Sequence, residues 1–577
     1  MNYDWTRVAI KELIHQGVRT FCISPGSHSA PLAISASEQP LAETIVHYDE
    51  RGLGYFALGI AKKSKKAVAI IVTSGTAVGN LLPPVMEAYH DHIPLIVLTA
   101  DRPPELQNSG ANQTTDQNNI FSGYLRYQHT FPCPSEKIST RTIGSFVGYA
   151  SSYALSNPQG PIQLNFMLRK PLYRTSEYKA LSAGSKNGLD YSPKTAFLSG
   201  KLSIPEHEVK KIADELTEPK KGIILVSGTE YIDNELVYRL SRYLQWPVFP
   251  DILSSLRYGG DSPGVIGYYD LIVKALGSHE DFRPDAVLLI GDRLVSQKLM
   301  EWIALAKPAS FIQISKHFSK SDPLHRITTK ISAEVRPFIT KLLEYIHPKK
   351  PSSWHNLWDE LNQLATTALN SYFSDNNDFT EPGIFYFLKT YLEKNKTLFL
   401  SNSMPIRNAE SFYFPSAPSG QIFANRGLSG IDGNIATIAG IAKASEEPVI
   451  GCVGDQSLLH DLNSLELIKK YPSKLILINN NGGDIFSFLA GQESPEVFEK
   501  IFTAPHNKTF ENAAKLFGIN YQLPSSYESL EEALNTPGPI LIEAQTKPLE
   551  NRKIHHEILK VMQTLLSSTN FKADLIN

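Results

Sequence analysis

The chain has 577 residues, more than one hydrophobic core usually serves, and at roughly 150 residues per domain it divides into three or four units. Its 56 basic and 58 acidic residues nearly balance, so the charge points to neither a nucleic-acid nor a membrane surface, and small-molecule chemistry becomes the default. Cys22, Cys133 and Cys452 have no paired spacing and imply neither disulfides nor zinc; with no apolar run of about 18 residues and no basic-then-apolar leader, a soluble cytoplasmic protein is expected.

Strand-like runs at 20–23, 67–72, 95–98 and 162–166 alternate with helix-length segments, a βαβ pattern. Between the first two runs lies His47-Tyr48-Asp49-Glu50-Arg51-Gly52, which opens a segment with Leu53, Ala57 and Ile60 at helical spacing. Glu50 is thereby placed at a strand-to-helix corner. Acids in a first helical turn commonly just complement the helix dipole, and that local role is open to Asp49 and Glu50. His47 and His90-Asp91-His92 could carry protons, although a satisfied structural role is the simpler one. From 174 to 205 the composition turns to Ser, Gly, Lys and Asn, which predicts an interdomain linker. A second set of runs, 222–226, 286–290 and 311–314, closes at the Pro-Lys-rich stretch 347–353. A third set follows, with runs at 448–453, 474–478 and 539–544, and the polar tail from 567 is expected to fray. The first and third sets match in size and pattern, as two related domains would.

The third set carries the densest chemistry. The run 448–453 is short and apolar, as a buried parallel strand requires, and ends in Gly454-Asp455-Gln456. Leu458, Leu462, Leu465 and Ile468 then predict one crossover helix up to Pro472, and the next strand ends in Asn479-Asn480-Asn481-Gly482-Gly483. Asn480 follows Asp455 by 25 positions, room for one helix and one strand. If the two strands are neighbours, Asp455 approaches Asn480 at the C-terminal edge of the sheet, where open α/β folds bind ligands. A carboxylate, an amide oxygen and a backbone carbonyl are hard donors suited to Mg²⁺, and the helix start would offer NH groups to an anion. Local roles remain open, a helix cap for Asp455 and a turn for the Asn-Gly run, but they do not account for the spacing.

This element resembles the metal- and diphosphate-binding motif of the thiamine diphosphate enzymes, Gly-Asp-Gly followed after one crossover by Asn-Asn, with Gln456 in place of the last Gly. The resemblance implies an α/β chain of three doubly wound parallel-sheet domains: 1–184 binding the cofactor's pyrimidine, 201–346 central, and 354–577 binding its diphosphate and metal. Asp455, the Asn480 side chain and the Gly482 carbonyl would hold Mg²⁺ or Mn²⁺, with Gly454, Gln456 and Ile485 also against the cofactor. Glu50 matches the family's glutamate, which pairs with the N1′ nitrogen of the aminopyrimidine and usually reaches it across a subunit interface. A homodimer or homotetramer with shared active sites is implied, and a buried Glu50 tuned for proton exchange.

Four further stretches carry anion-binding side chains: Ser24-Pro25-Gly26-Ser27-His28-Ser29, Thr99 to Leu106 with Ala111-Asn112-Gln113, Asn402 to Arg407, and Asn425 to Gly433. Arginines at strand ends or in Gly-rich loops can pair bidentately with carboxylates. With Asn479 to Ser487, these stretches resemble the menaquinone-pathway branch of the family, which joins 2-oxoglutarate to isochorismate with loss of CO₂. The resemblance would place Ser27, His28, Arg102, Gln113, Ser403, Arg407 and Arg426 on substrate carboxylates and hydroxyls. It would make Phe486 and Leu489, with Ile485, an apolar wall, and Ile431 the wedge that bends the cofactor. His28 stands where that branch has arginine, which makes a contact that titrates near neutrality the expectation. Ser296-Gln297-Lys298 replaces a more basic pair, leaving Lys298 as the central domain's candidate. The rival readings are another decarboxylase or an acetolactate synthase-like member, which would need fewer cations, and a non-catalytic binding module, which would need neither Glu50 nor Asp455.

Overall fold

A computed structural model describes residues 1–173, 195–228, 232–392, 396–488 and 495–569. Much of the predicted linker, Leu489 and the end of the tail lie outside the described residues. Three parallel sheets organise the chain. The first contains β1 (Thr20–Ile23), β2 (Glu43–Val46), β3 (Val68–Val72), β4 (Leu95–Asp101), β5 (Tyr127–Phe131) and β6 (Ile162–Met167), in the order β2-β1-β3-β4-β6-β5. The second contains β7 (Gly222–Val226), β8 (Val248–Pro250), β9 (Ala286–Ile290), β10 (Ser310–Ser315) and β11 (Thr329–Ser332), in the order β11-β10-β9-β7-β8. The third contains β12 (Thr397–Leu400), β13 (Ile422–Phe423), β14 (Val449–Gly454), β15 (Ser473–Asn479), β16 (Asn520–Gln522) and β17 (Ile540–Gln545), ordered β13-β12-β14-β15-β17-β16. The first and third sheets thus share one winding, as their matching sequence patterns predicted.

Two compact units divide these elements. The first comprises 1–199 with 425–446 and 459–473; the second comprises 200–424 with 447–458 and 474–577. Central strands such as β3, β4 and β15 are buried along their whole length, and their apolar runs follow from packing on both faces. In the first unit, the helix Glu50–Ser64 crosses the helix Asn434–Lys443 through a glycine seam. A Cβ at Gly59 would lie 2.2 Å from the Thr437 carbonyl oxygen, and one at Gly440 2.1 Å from that of Phe56. Only glycines let the two backbones approach so closely.

Cys22 and Cys452 are buried in β1 and β14, where burial pushes both thiols up, and Cys133 is half-buried; all three are free. Among the described residues no helix is long and apolar enough to cross a membrane.

Candidate active site

In the second unit β14 and β15 are neighbours, and their C-terminal ends meet through side chains. Asp455, 2% exposed, starts the helix Asp455–His460; its Oδ1 accepts from the Gln456 NH at 2.6 Å and its Oδ2 from the Gly482 NH at 2.9 Å. His506 Nε2 lies 3.1 Å from the same Oδ2, and its Nδ1 accepts from the Lys508 NH. Burial raises the Asp455 carboxyl, against the pull of His506 and the two backbone NH groups. Asn480 donates Nδ2 to Glu381 Oε1 at 2.6 Å, which leaves its Oδ1 buried and without a partner among the described residues. Gly482 has φ +142, and a Cβ there would lie 2.2 Å from the Thr503 carbonyl oxygen, so the position demands glycine. Its own carbonyl accepts one bond, from the Asp484 NH at 3.2 Å, and keeps a second lone pair. An orphaned amide oxygen, a carboxylate and a carbonyl on one sheet edge are a donor set that fits Mg²⁺ or Mn²⁺.

The predicted single crossover helix is broken. It runs Asp455–His460, then a tight turn Leu462–Ser464, then Leu465–Lys470. The cause is Asp461, whose carboxylate accepts from the Ala436 NH at 2.9 Å and the Ser464 hydroxyl at 2.7 Å. The NH groups of Gln456 and Gly482 already bond Asp455, so the helix start offers an anion fewer donors than the pattern suggested. Gln456 does not crowd the edge, because its Nε2 turns to the Thr503 carbonyl at 2.9 Å. At Gly454 a Cβ would meet only open space.

Sequence reasoning missed Glu381, which is 3% exposed at the start of the helix Glu381–Tyr391. Its carboxylate accepts from three amides, those of Asn480, Asn551 (2.8 Å) and Asn408 (3.2 Å). Burial, then the neighbouring Asp484, pushes its carboxyl up to about 8. With Thr380 capping the helix and Pro382 inside its first turn, Glu381 looks in sequence like any first-turn acid.

The other predicted groups of this unit lie near the same strand ends or further along. Ser403, with φ +73, precedes the helix Met404–Phe412, and Arg407 Nη1 donates to its carbonyl at 2.6 Å with the guanidinium exposed. Ile485 and Phe486 are half-buried in the turn Asp484–Phe488, where Phe486 packs on Phe502 at 5.6 Å between centroids. Lys298 pairs with Glu301 at 2.7 Å, and Gln297 bonds the same carboxylate. Lys298 also lines a cavity of about 390 Å³ with Lys274, Trp302, Phe412, Phe488 and His555.

In the first unit, Asp49 caps the helix that Glu50 begins by accepting from the Arg51 NH at 3.0 Å, and Asn80 Nδ2 donates to Glu50 Oε2 at 3.1 Å. Glu50 is half-buried in the single chain, not fully buried as predicted. Arg102 is held between two acceptors, His28 Nδ1 at 2.7 Å and Gln113 Oε1 at 3.2 Å. Beneath it Asp101, 1% exposed, accepts from the Arg102 NH and from Asn165 Nδ2. Ser27, exposed, accepts from the Tyr173 hydroxyl at 3.1 Å. The loop bearing Arg426 is stapled by Glu87, whose two oxygens accept from the Gly427 and Leu428 NH groups at 2.7 Å each. Asn434 Nδ2 donates to the Ile431 carbonyl at 2.8 Å and fixes that half-buried side chain's backbone. Of the other histidines, His92 has the expected structural partner, its Nδ1 accepting from Arg126, whereas His47 is buried against Tyr48 with its Nε2 unpartnered among the described residues.

His28 departs from expectation. Its Nε2 donates to the Asp101 carbonyl at 2.8 Å while Nδ1 accepts from Arg102, so both ring nitrogens serve the protein. Burial, then the Arg102 cation, lowers its pKa, so it stays neutral where an ordinary histidine would titrate. The unfolded chain takes this proton at about 6.5 while the native state resists it, so the native state loses stability as pH falls below about 6.5. The difference in denaturation midpoint between the native protein and His28→Gln should therefore shrink as pH is lowered from 8 to 5; a pH-independent difference would contradict a neutral His28.

The fold is that of a thiamine diphosphate enzyme. Family models described as "Thiamine pyrophosphate enzyme, N-terminal TPP binding domain", "Middle domain of thiamine pyrophosphate" and "Thiamine pyrophosphate enzyme, C-terminal TPP binding domain" match residues 4–120, 193–400 and 407–544. A solved structure from Rhodococcus jostii, a thiamine diphosphate-dependent 4-hydroxybenzoylformate decarboxylase, shares the fold with TM-score 0.69 at 16% identity, covering 94% of this chain and 99% of its own. Curated relatives from Rubrobacter xylanophilus (35% identical; 97% of this chain, 98% of the relative), Salinibacter ruber (34%; 96% and 96%) and Geobacillus thermodenitrificans (34%; 94% and 93%) carry one name, 2-succinyl-5-enolpyruvyl-6-hydroxy-3-cyclohexene-1-carboxylate synthase. The chain belongs to that synthase family of thiamine diphosphate enzymes.

Proposed function

We propose that the protein decarboxylates 2-oxoglutarate and adds the remaining succinyl fragment to isochorismate, forming 2-succinyl-5-enolpyruvyl-6-hydroxy-3-cyclohexene-1-carboxylate and CO₂ in the cytoplasm, as a homodimer or homotetramer. The observation that carries the reading is the edge of β14 and β15, where Asp455, the orphaned Asn480 oxygen and the glycine-only Gly482 form a hard-donor set. Those three groups would hold Mg²⁺ or Mn²⁺, which would supply positive charge for the cofactor's diphosphate, with Gly454, Gln456 and Ile485 also against the cofactor. Thiamine diphosphate, when bound, supplies the chemistry by which a 2-oxo acid loses CO₂ and its acyl fragment attacks an acceptor.

The protein's own part is to move a proton, hold carboxylates and exclude water. Glu50 exchanges a proton with N1′ of the aminopyrimidine; its half-burial in one chain suits a site that a second subunit completes. Arg102, held by His28 and Gln113, binds a substrate carboxylate, as do Arg407 beside Ser403 and Arg426 on its stapled loop, with Ser27 and Lys298 as further substrate contacts. His28 acts here through Arg102. Ile431 would be the wedge against the cofactor, and Phe486 with Leu489 would shield the reacting centre from water. Fixing the acceptor beside the donor favours addition over release of succinic semialdehyde.

Purified protein with thiamine diphosphate, Mg²⁺, 2-oxoglutarate and isochorismate should consume isochorismate and yield a product of the adduct's mass. Release of CO₂ and succinic semialdehyde without adduct would leave the cofactor reading standing and overturn the acceptor.

A further inference from the structure

Asparagine presents an oxygen and an NH₂ group of nearly equal size, so a metal-binding asparagine needs something to decide which of them faces the ion. At Asn480 that decision falls to a residue 99 positions away. Glu381 Oε1 accepts from Asn480 Nδ2 at 2.6 Å, and Thr546 Oγ1 lies 3.5 Å from the same oxygen. Glu381 Oε2 accepts from Asn551 and Asn408. Oε1 meets only donors, the Asn480 amide and the Thr546 hydroxyl, so the oxygen facing Asn480 is an acceptor even when the carboxyl carries a proton on Oε2. The amide is thereby turned NH₂-inward and oxygen-outward, and Oδ1 remains buried and unpartnered next to the Asp455–Gly482 link. Asn408 needs no such orientation from Glu381, because its Oδ1 already bonds His555 Nε2 at 2.8 Å.

We propose that Glu381 is the positioning residue of the metal centre: its carboxylate fixes the rotamer and sense of the Asn480 amide so that Oδ1 faces the cation. The inference rests on the reading that Asp455, Asn480 and Gly482 hold that cation. Outer partners that orient a metal ligand typically change metal affinity 10–100-fold when removed. Glu381→Gln puts a permanent NH₂ group beside Asn480, and Asn480 can then turn its oxygen toward that amide. Asn480→Asp in the same background removes the need for orientation, since a carboxylate presents oxygen either way and can accept from the introduced NH₂.

The test is titration of Mn²⁺ into protein plus thiamine diphosphate, with free Mn²⁺ followed by electron paramagnetic resonance and folding checked by circular dichroism. Glu381→Gln is expected to weaken Mn²⁺ binding about 10–100-fold. Asn551→Ala, which touches the same carboxylate from the other side, should stay within about threefold, and the Glu381→Gln/Asn480→Asp double variant should recover at least about tenfold of the loss. Mn²⁺ affinity of Glu381→Gln within about threefold of the native protein, or a double variant no tighter than Glu381→Gln, would overturn the proposal. Should Glu381→Gln fail to fold, Glu381→Asp keeps a carboxyl but withdraws it from Asn480; native affinity in that variant would be equally fatal. Asp455→Ala separates the two readings. If it binds Mn²⁺ as the native protein does, the metal-site reading itself fails; if it loses Mn²⁺ while Glu381→Gln retains it, only the role of Glu381 fails.

Discussion

Glu50→Gln is expected to lower kcat about 10²–10⁴-fold with little change in thiamine diphosphate affinity, the range over which a positioned acid-base group usually acts. Gln matches the shape of Glu and keeps one acceptor for the Asn80 amide, which now bonds Glu50 at 3.1 Å. What it cannot do is give up or accept a proton at N1′ of the cofactor. The helix start is held by Asp49, not by Glu50, so the Glu50→Gln protein should fold normally. Steady-state kinetics of adduct formation, with cofactor affinity from quenching of tryptophan fluorescence, separates the two effects. A fall in kcat of less than about tenfold would remove Glu50 from the chemistry.

The second large effect is expected at Asp455. Asp455→Ala deletes the one charged ligand proposed for the cation and also the acceptor for the Gly482 NH, so the turn after β15 loses its tie to β14. Cation affinity should fall by more than the 10–100-fold typical of outer partners, and cofactor retention in gel filtration should fall with it. Chelation with EDTA should strip activity from the native protein, and Mg²⁺ or Mn²⁺ should restore it. An Asp455→Ala protein that still retains thiamine diphosphate in a cation-dependent manner would place the metal elsewhere.

The two groups were legible in sequence to different depths. β14 and β15 stood out because strands buried on both faces are continuous apolar runs, and their spacing placed Asp455 and Asn480 together before any coordinates. Edge strands stood out less: β5 and β16 are largely half-buried or exposed and carry no apolar run to find, and β2 shows only as the short run before His47. The broken crossover helix was hidden because Leu458, Leu462, Leu465 and Ile468 keep helical spacing whether or not Asp461 interrupts the backbone. Glu381 was invisible for a deeper reason. Its partners Asn408, Asn480 and Asn551 lie 27, 99 and 170 positions away, and no local pattern records such a convergence. His28 was singled out in sequence but expected to titrate as a substrate contact, since only the fold shows the Asp101 carbonyl waiting behind it.

The glycine seam between the helices Glu50–Ser64 and Asn434–Lys443 also has a mechanical meaning. One helix begins at Glu50; the other begins three residues after Ile431. At Gly59 and Gly440 backbone meets backbone, and at the helix starts the Tyr55 ring packs on Gly433 while its hydroxyl donates to Asp432 at 2.7 Å, so little at the crossing is left to slide. The two helix starts are therefore coupled like the two ends of one lever, and a shift of Glu50 within the chain would carry Ile431 with it.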